Sequence, residues 1–421
     1  AREGRGVAHT DGKAVFIEGA LPSEVVTFSQ VRARARFEVG RVSAVLRESA
    51  DRTEPRCSAY GQCGGCSLQH YDWRGQVAAK QRVLEDALWH IGKMRPHRML
   101  PAIKGSPWGY RHRARLSVRH VPKKGGVLVG FHERNSSYVA VMDGCEILPQ
   151  SVASAIPALK KLIGSLSIRD RMPQIELAVG EQDTVLVFRI LASLSKKDEE
   201  LLDSFSKAYG FSIWLQEKGP ETAHPAWPAS GKLPEYWLPE FDLKMEFRPT
   251  EFTQVNHAVN KLLVRRAMDL LQPHAGDVVG DFFCGLGNFT LPAARLGARV
   301  AGFEGSAHLV ARASGNAMRN GLNGRFQELN LFEPEACAAA LDSLPDMNKV
   351  VIDPPRDGAI ELVKQLVQVD RLRRIVYVSC DPATLARDAA ILGQQFTLEA
   401  AGVVNMFPHT SHVESMALFV R

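Results

Sequence analysis

The alternation of apolar and polar positions changes its rhythm along the chain. From Gly4 to about Glu48, short β-branched and apolar runs alternate with glycine or polar turns, so a small all-β barrel is expected there. Within it VRARARFEVGRV alternates arginine with apolar or small residues, giving a basic outer face over a packed inner one. Residues 49–73 are rich in Cys, Gly and polar side chains, and a helical pattern follows through VAAKQRVLEDALWHI. A β-rich stretch runs from about Tyr110 to Ile147, and mixed α/β signals continue to about Phe247 without a legible sheet order. The segment GPETAHPAWPASGKLPEYWLPE is dense in proline and tryptophan, which predicts an irregular loop or hairpin before a boundary near Arg248.

From Gln254 onward helices and strands alternate. Helix HAVNKLLVRRAMDLL precedes strand DVVGDFF, and strands RVAGFE, RFQELN, KVVIDPP and RIVYVSC follow, separated by helical segments except between RFQELN and KVVIDPP, where only EACAAAL reads as helical. Two closing strands lie around TLEAAGVVNMF and ESMALFVR. This order predicts a doubly wound, Rossmann-like α/β sheet with its last two strands as an antiparallel edge. Three units are therefore expected: 1–48, 49–247 and 248–421.

Composition fits a multi-domain soluble enzyme, with 45% hydrophobic and 23% charged residues. No apolar run approaches the roughly 20 residues of a membrane span, and the N-terminus lacks the order of a secretory signal, so a cytoplasmic monomer is expected. The net charge of +6 is unevenly spread: residues 71–134 hold 14 Lys and Arg against 4 Asp and Glu. Arg111, Arg113, Arg115 and Arg119 fall at odd positions, which puts them on one face of a strand. That face suits phosphate contacts, or is simply a solvated outer face.

Candidate chemistry gathers at the sheet's ligand edge. After DVVGDFF the loop Cys284-Gly285-Leu286-Gly287-Asn288 enters a helix, and Glu304 ends the next strand 23 positions beyond Asp281. Glycines allow close backbone approach, and the acid can accept ribose hydroxyls. Thr290 stands where a dinucleotide loop needs its third glycine, which favours a nucleoside without phosphates and disfavours a nicotinamide oxidoreductase. The fourth strand runs into Asp353-Pro354-Pro355-Arg356, and the fifth presents Cys380 at the start of a helix. A helix N-terminus is expected to lower the thiol's pKa and make it a nucleophile. Glu414 opens the last strand as a candidate general base, after His409 and His412, whose case is weaker. Cys57-x5-Cys63-x2-Cys66 with Cys145 gives four soft ligands, for tetrahedral zinc or an iron–sulfur cluster alike. Cys284 and Cys337 read as packing.

Together FTQVN (252–256), DFFCGLGN (281–288), IDPPRDG (352–358), SCDPATLARD (379–388) and PHTSHVES (408–415) resemble the RNA uracil-5-methyltransferase family. The resemblance implies a class I methyltransferase domain at 248–421, and the N-terminal barrel is similar to the TRAM domain of the bacterial 23S ribosomal RNA branch. It further implies that Cys380 adds to carbon 6 of uracil, that Glu414 removes the carbon 5 proton, and that S-adenosylmethionine is held by Gln254, Phe283, Asn288, Glu304, Asn330 and Asp353. The four outlying cysteines then resemble a 4Fe-4S site that shapes the RNA surface. Transfer RNA as substrate, an inert RNA-binding assembly protein, and the same chemistry at another ribosomal RNA site are the alternatives. The barrel and cysteine cluster oppose the first, and intact Cys380 and Glu414 the second.

Overall fold

The computed structural model of the chain describes residues 4–10, 12–229 and 231–421. Among these residues the strands build three larger sheets and one two-stranded pair. The N-terminal strands form a four-stranded sheet in the order Gly6–Thr10, Lys13–Glu18, Phe37–Arg47, Val25–Ala33, over a core of only Val15, Ile17 and Ala20.

The central sheet has six strands, in the order His224–Trp227, Phe211–Gln216, Thr184–Arg189, Gln174–Val179, Arg113–Val121, Gly126–Gly130. Helices Ile156–Ser165 and Lys196–Tyr209 share its apolar core. Ala114, Leu116 and Val118 are buried in that core, so the two-residue period does turn Arg113, Arg115 and Arg119 to the other face. These arginines are not equivalent. Arg115 is exposed and pairs with Glu176 at 2.8 Å, and Arg119 is exposed. Arg113 is drawn inward, donating to Pro249 O at 2.9 Å, and Arg111 lies ahead of the strand with its guanidinium over the Phe131 ring.

The C-terminal sheet has eight strands, in the order Arg325–Glu328, Arg299–Glu304, Val278–Phe282, Lys349–Ile352, Arg374–Ser379, Glu414–Val420, Thr397–Val404, Arg98–Met99. The first five are parallel, and the four inside the Arg325–Glu328 edge are largely buried on both faces. Glu414–Val420 is antiparallel to both its neighbours. The expected antiparallel pair is present, but it is not the edge: Arg98–Met99 pairs parallel with Ala400 and Ala401 outside it.

Two segments also sit elsewhere than the expected boundaries place them. The helix Trp73–His90, capped by Asp72 accepting from Arg74 N–H at 2.9 Å, buries Gln76, Lys80, Leu84 and Leu88 at four-residue spacing. Leu84 and Leu88 join the core beneath the C-terminal sheet, worth about 2 kcal/mol each. The Pro/Trp-rich segment contributes the hairpin Glu235–Leu238 and Leu243–Glu246, whose Tyr236, Leu238, Leu243 and Met245 pack with Val259 and Leu263 of the helix His257–Leu271. The C-terminal body therefore begins before residue 248 and includes 73–104, because the apolar partners of those segments lie there. Among the described residues no helix is long and apolar enough to cross a membrane.

Candidate active site

Strand order decides which side chains meet. Glu304, the 283–288 loop, Asp353 and Cys380 leave the carboxyl ends of four adjacent parallel strands. The strand Glu414–Val420 runs the opposite way, so its first residue returns to the same edge. Ser379 pairs with Ser415, which sets Cys380 opposite Glu414.

At the cofactor side, Gly285 and Gly287 have φ of 56° and 95°, and a side chain at Gly285 would meet nothing within 4 Å, so the loop leaves room for a ligand. Phe283, with no glycine's freedom, also has φ of 66°, a strained conformation of the kind found at ligand sites. Its ring lies 5.7 Å from that of Phe332, an aromatic surface suited to a flat base. Glu304 accepts from Gly285 N–H at 3.0 Å and Ser306 N–H at 3.2 Å, which fixes its carboxylate while burial raises its pKa. Asn288 is committed: its amide exchanges two hydrogen bonds of 3.0 Å with Asn260 and accepts from Tyr236 O–H at 2.9 Å. Asn330 is exposed and bonds Glu333 at 2.8 Å, on the loop that carries Phe332. Gln254 is half-buried, in a segment where Phe252 is 65% exposed. Glycine cradle, aromatic pair and fixed carboxylate fit a nucleoside ligand.

At the reacting side Asp353 donates its N–H to Phe282 O at 3.2 Å, and burial pushes its carboxyl up to about 7. The loop after it is tied down by the helix Pro382–Leu392. Arg387 donates to Asp357 O at 2.9 Å, and Asp388 accepts from Ala359 N–H at 2.8 Å and from Tyr377 O–H at 2.6 Å. Glu414 is buried, and burial, then Asp353, push it up to about 8 against the pull of Lys80 and Arg356.

The thiol does not follow expectation. Burial, then the carboxyls of Glu414 and Asp353, push Cys380 up to about 11, with Arg356 and its own backbone N–H opposing. Burial, with acids brought from two other strands, outweighs the helix end and holds Cys380 as a neutral thiol near neutral pH. His409 is buried, stacked on Trp108 at 4.0 Å and held neutral by burial, which takes it down to about 4. His412 Nδ1 lies 3.2 Å from Arg356 Nη2.

Cys57, Cys63, Cys66 and Cys145 line one small cavity with Tyr60, Phe131, Met142 and Ile147, and all four are free thiols. Burial pushes Cys66 up to about 12 and Cys145 to about 11. The 62–66 loop is held to residues 132–134 by Gly64 N–H to His132 O (2.8 Å), Arg134 N–H to Gln62 O (2.9 Å) and Arg134 Nη2 to Cys66 O (2.7 Å). A side chain at Gly64 would come within 3.1 Å of His132 O, which explains the glycine. Among the described residues no group of three or more His, Cys, Asp or Glu is set to hold a metal ion. Cys284 and Cys337 are buried, as expected for packing.

The family model for tRNA (Uracil-5-)-methyltransferase matches residues 237–421, starting inside the hairpin that joins the C-terminal body. The 23S rRNA (uracil(1939)-C(5))-methyltransferase of Nitrosospira multiformis is 56% identical, over 99% of this chain and 96% of that protein. This chain belongs to the RNA uracil-5-methyltransferase family. A second member, the 23S rRNA (uracil(1939)-C(5))-methyltransferase of Aromatoleum aromaticum, is 55% identical over 100% of this chain and 97% of its own length. Among solved structures, the Pyrococcus abyssi tRNA (uracil-54, C5)-methyltransferase in complex with S-adenosyl-L-homocysteine has a TM-score of 0.75, at 24% identity, covering 99% of both chains. That likeness speaks for the fold.

Sequence reasoning did not single out Lys80, Tyr236 or Asn260. Lys80 had a signal: it occupies a four-residue register with Leu84 and Leu88, where an apolar residue is expected.

Proposed function

We propose that this chain moves a methyl group from S-adenosylmethionine to carbon 5 of a 23S ribosomal RNA uridine, the one corresponding to uracil-1939 of its relatives, through a Cys380 adduct. The observation that carries the chemistry is the strand register that sets Cys380 opposite Glu414 beside the glycine loop. When bound against 283–288 and Glu304, the cofactor supplies an electrophilic methyl on a sulfonium. Cys380 Sγ, its proton passing to solvent, forms a bond to uracil carbon 6, and the displaced electron pair makes carbon 5 nucleophilic. After carbon 5 has gained the methyl, Glu414 takes its proton. The carbon 5–carbon 6 double bond reforms and the thiolate leaves. A carboxyl raised to about 8 is well matched to accepting a proton near neutral pH. The target uridine must leave its stack to reach the thiol, and exposed Phe252 offers a surface for a displaced base.

Exposed Arg32, Arg34 and Arg36 support an RNA-binding, TRAM-like role for the N-terminal sheet, and Arg115 and Arg119 extend the basic surface. Cys57, Cys63, Cys66 and Cys145 would hold a 4Fe-4S cluster. Four thiols lining one cavity support it. The cluster would tie the 57–66 loop to the end of the arginine-rich sheet. Anaerobic reconstitution is expected to load about four irons per chain, and Cys63→Ser to lose most of them and weaken RNA binding about tenfold or more. Full RNA affinity in an iron-free variant would reject the cluster's structural role.

The substrate is tested with 23S ribosomal RNA from cells lacking this protein. Purified protein and S-adenosylmethionine are expected to add one 5-methyluridine at the corresponding site. Transfer RNA proving the better acceptor would reassign the substrate.

A further inference from the structure

Helix Trp73–His90 lies outside the residues matched by the family model, yet its buried face reaches the reacting edge. Gln76 and Lys80, one turn apart, are 0% and 3% exposed. Lys80 is spent on a single segment, and Gln76 divides its amide between that segment and the Leu68 and Tyr71 carbonyls ahead of the helix. Lys80 Nζ donates to Asn405 Oδ1 and to Phe407 O, each at 2.8 Å. Gln76 Oε1 accepts from His409 N–H at 2.8 Å, and its Nε2 lies 3.1 Å from His409 Nδ1. Residues 405–413 are the connection that carries the chain from the strand Thr397–Val404 to Glu414. The helix thus clamps the connection immediately ahead of the carboxylate.

We propose that Lys80 is a positioning residue for Glu414: its ammonium fixes the connection that delivers the carboxylate, and its positive charge favours the ionised, proton-accepting form. This rests on Glu414 being the base. The charged and titratable groups around Glu414 are Asp353 and Arg356 from the 353–358 loop, Cys380 from the neighbouring strand end, His409 and His412 from its own connection, and Lys80 from the helix. Asp353 opposes ionisation of Glu414, whereas Lys80 and Arg356 favour it. Arg356 is exposed and shares its guanidinium with His412, so solvent and bound RNA screen it. The Lys80 charge is buried and acts with little screening. Burial takes Lys80 down to about 7 and Glu414 up to about 8, so the two titrate in overlapping ranges and each charge supports the other. Without Lys80 the carboxyl rises further, and a base that must be ionised then needs a higher pH.

The test is the pH dependence of adduct resolution at saturating 23S ribosomal RNA and S-adenosylmethionine. Lys80→Gln keeps an amide for Asn405 and Phe407 but removes the charge. Its acidic limb is expected to move up by about one pH unit, with turnover roughly tenfold lower near neutral pH and the RNA KM unchanged. Lys80→Arg, which keeps the charge, is expected to hold the parent limb. A folded Lys80→Gln enzyme with the parent limb overturns the proposal, as does a Lys80→Arg enzyme shifted as far as the glutamine variant. Glu414→Gln is measured alongside. If it resolves the adduct at the parent rate, the base assignment fails. If it stalls while Lys80→Gln keeps the parent profile, Lys80 alone is rejected.

Discussion

Cys380→Ala is expected to abolish methyl transfer, by about 10⁴-fold or more, because no other group at the edge can form the bond to uracil carbon 6. The loss should fall on turnover. Cys380 is half-buried at a strand end, and the cofactor loop, Glu304 and the Phe283–Phe332 pair are built from other strands. S-adenosylmethionine affinity, read by calorimetry, should therefore stay within about threefold, below a kcal/mol. Turnover near the parental rate would exclude covalent catalysis by this thiol. Cys284, the other thiol at that edge, is buried, and burial holds it well above the ordinary thiol range, so it offers no substitute.

The opposite failure is expected of Glu414→Gln. Attack and methyl transfer precede the step that needs the base, so they proceed, and the adduct then keeps its carbon 5 proton and cannot expel the thiolate. A covalent protein–RNA species should accumulate to nearly one per active site and survive denaturing electrophoresis, while multiple turnover falls about 10²–10⁴-fold. The neutral amide is close in size to a carboxyl that is already largely protonated below about 8, so the buried site should tolerate it. If no adduct survives denaturation and product still forms, the proton leaves by another group, and Asp353 is the next acid at that edge.

Much of the C-terminal body was legible because its elements are short-range objects. Strands buried on both faces read as unbroken apolar runs, and glycine or proline loops end them; Arg299–Glu304 and the helices His257–Leu271 and Pro382–Leu392 fall where the pattern puts them. What depends on distant partners was not legible. The central sheet's order comes from pairings far apart in sequence, the allegiance of helix 73–90 from apolar partners some 300 residues away, and the thiol's raised pKa from burial and then from acids on two other strands. Local reasoning about Cys380 saw the helix behind it and not the carboxyls in front.

The short pairing of Arg98–Met99 with Ala400 and Ala401 has a practical meaning. Two residues suffice to occupy part of the backbone of Thr397–Val404, which would otherwise be a long apolar edge open to strands of other molecules. Any fragment cut at the limits of the family match would lose that guard, together with the helix that covers the sheet beside it. Chimeras between family members that exchange RNA-binding parts therefore have to carry residues 73–104 with the catalytic half, or they leave that edge open to aggregation.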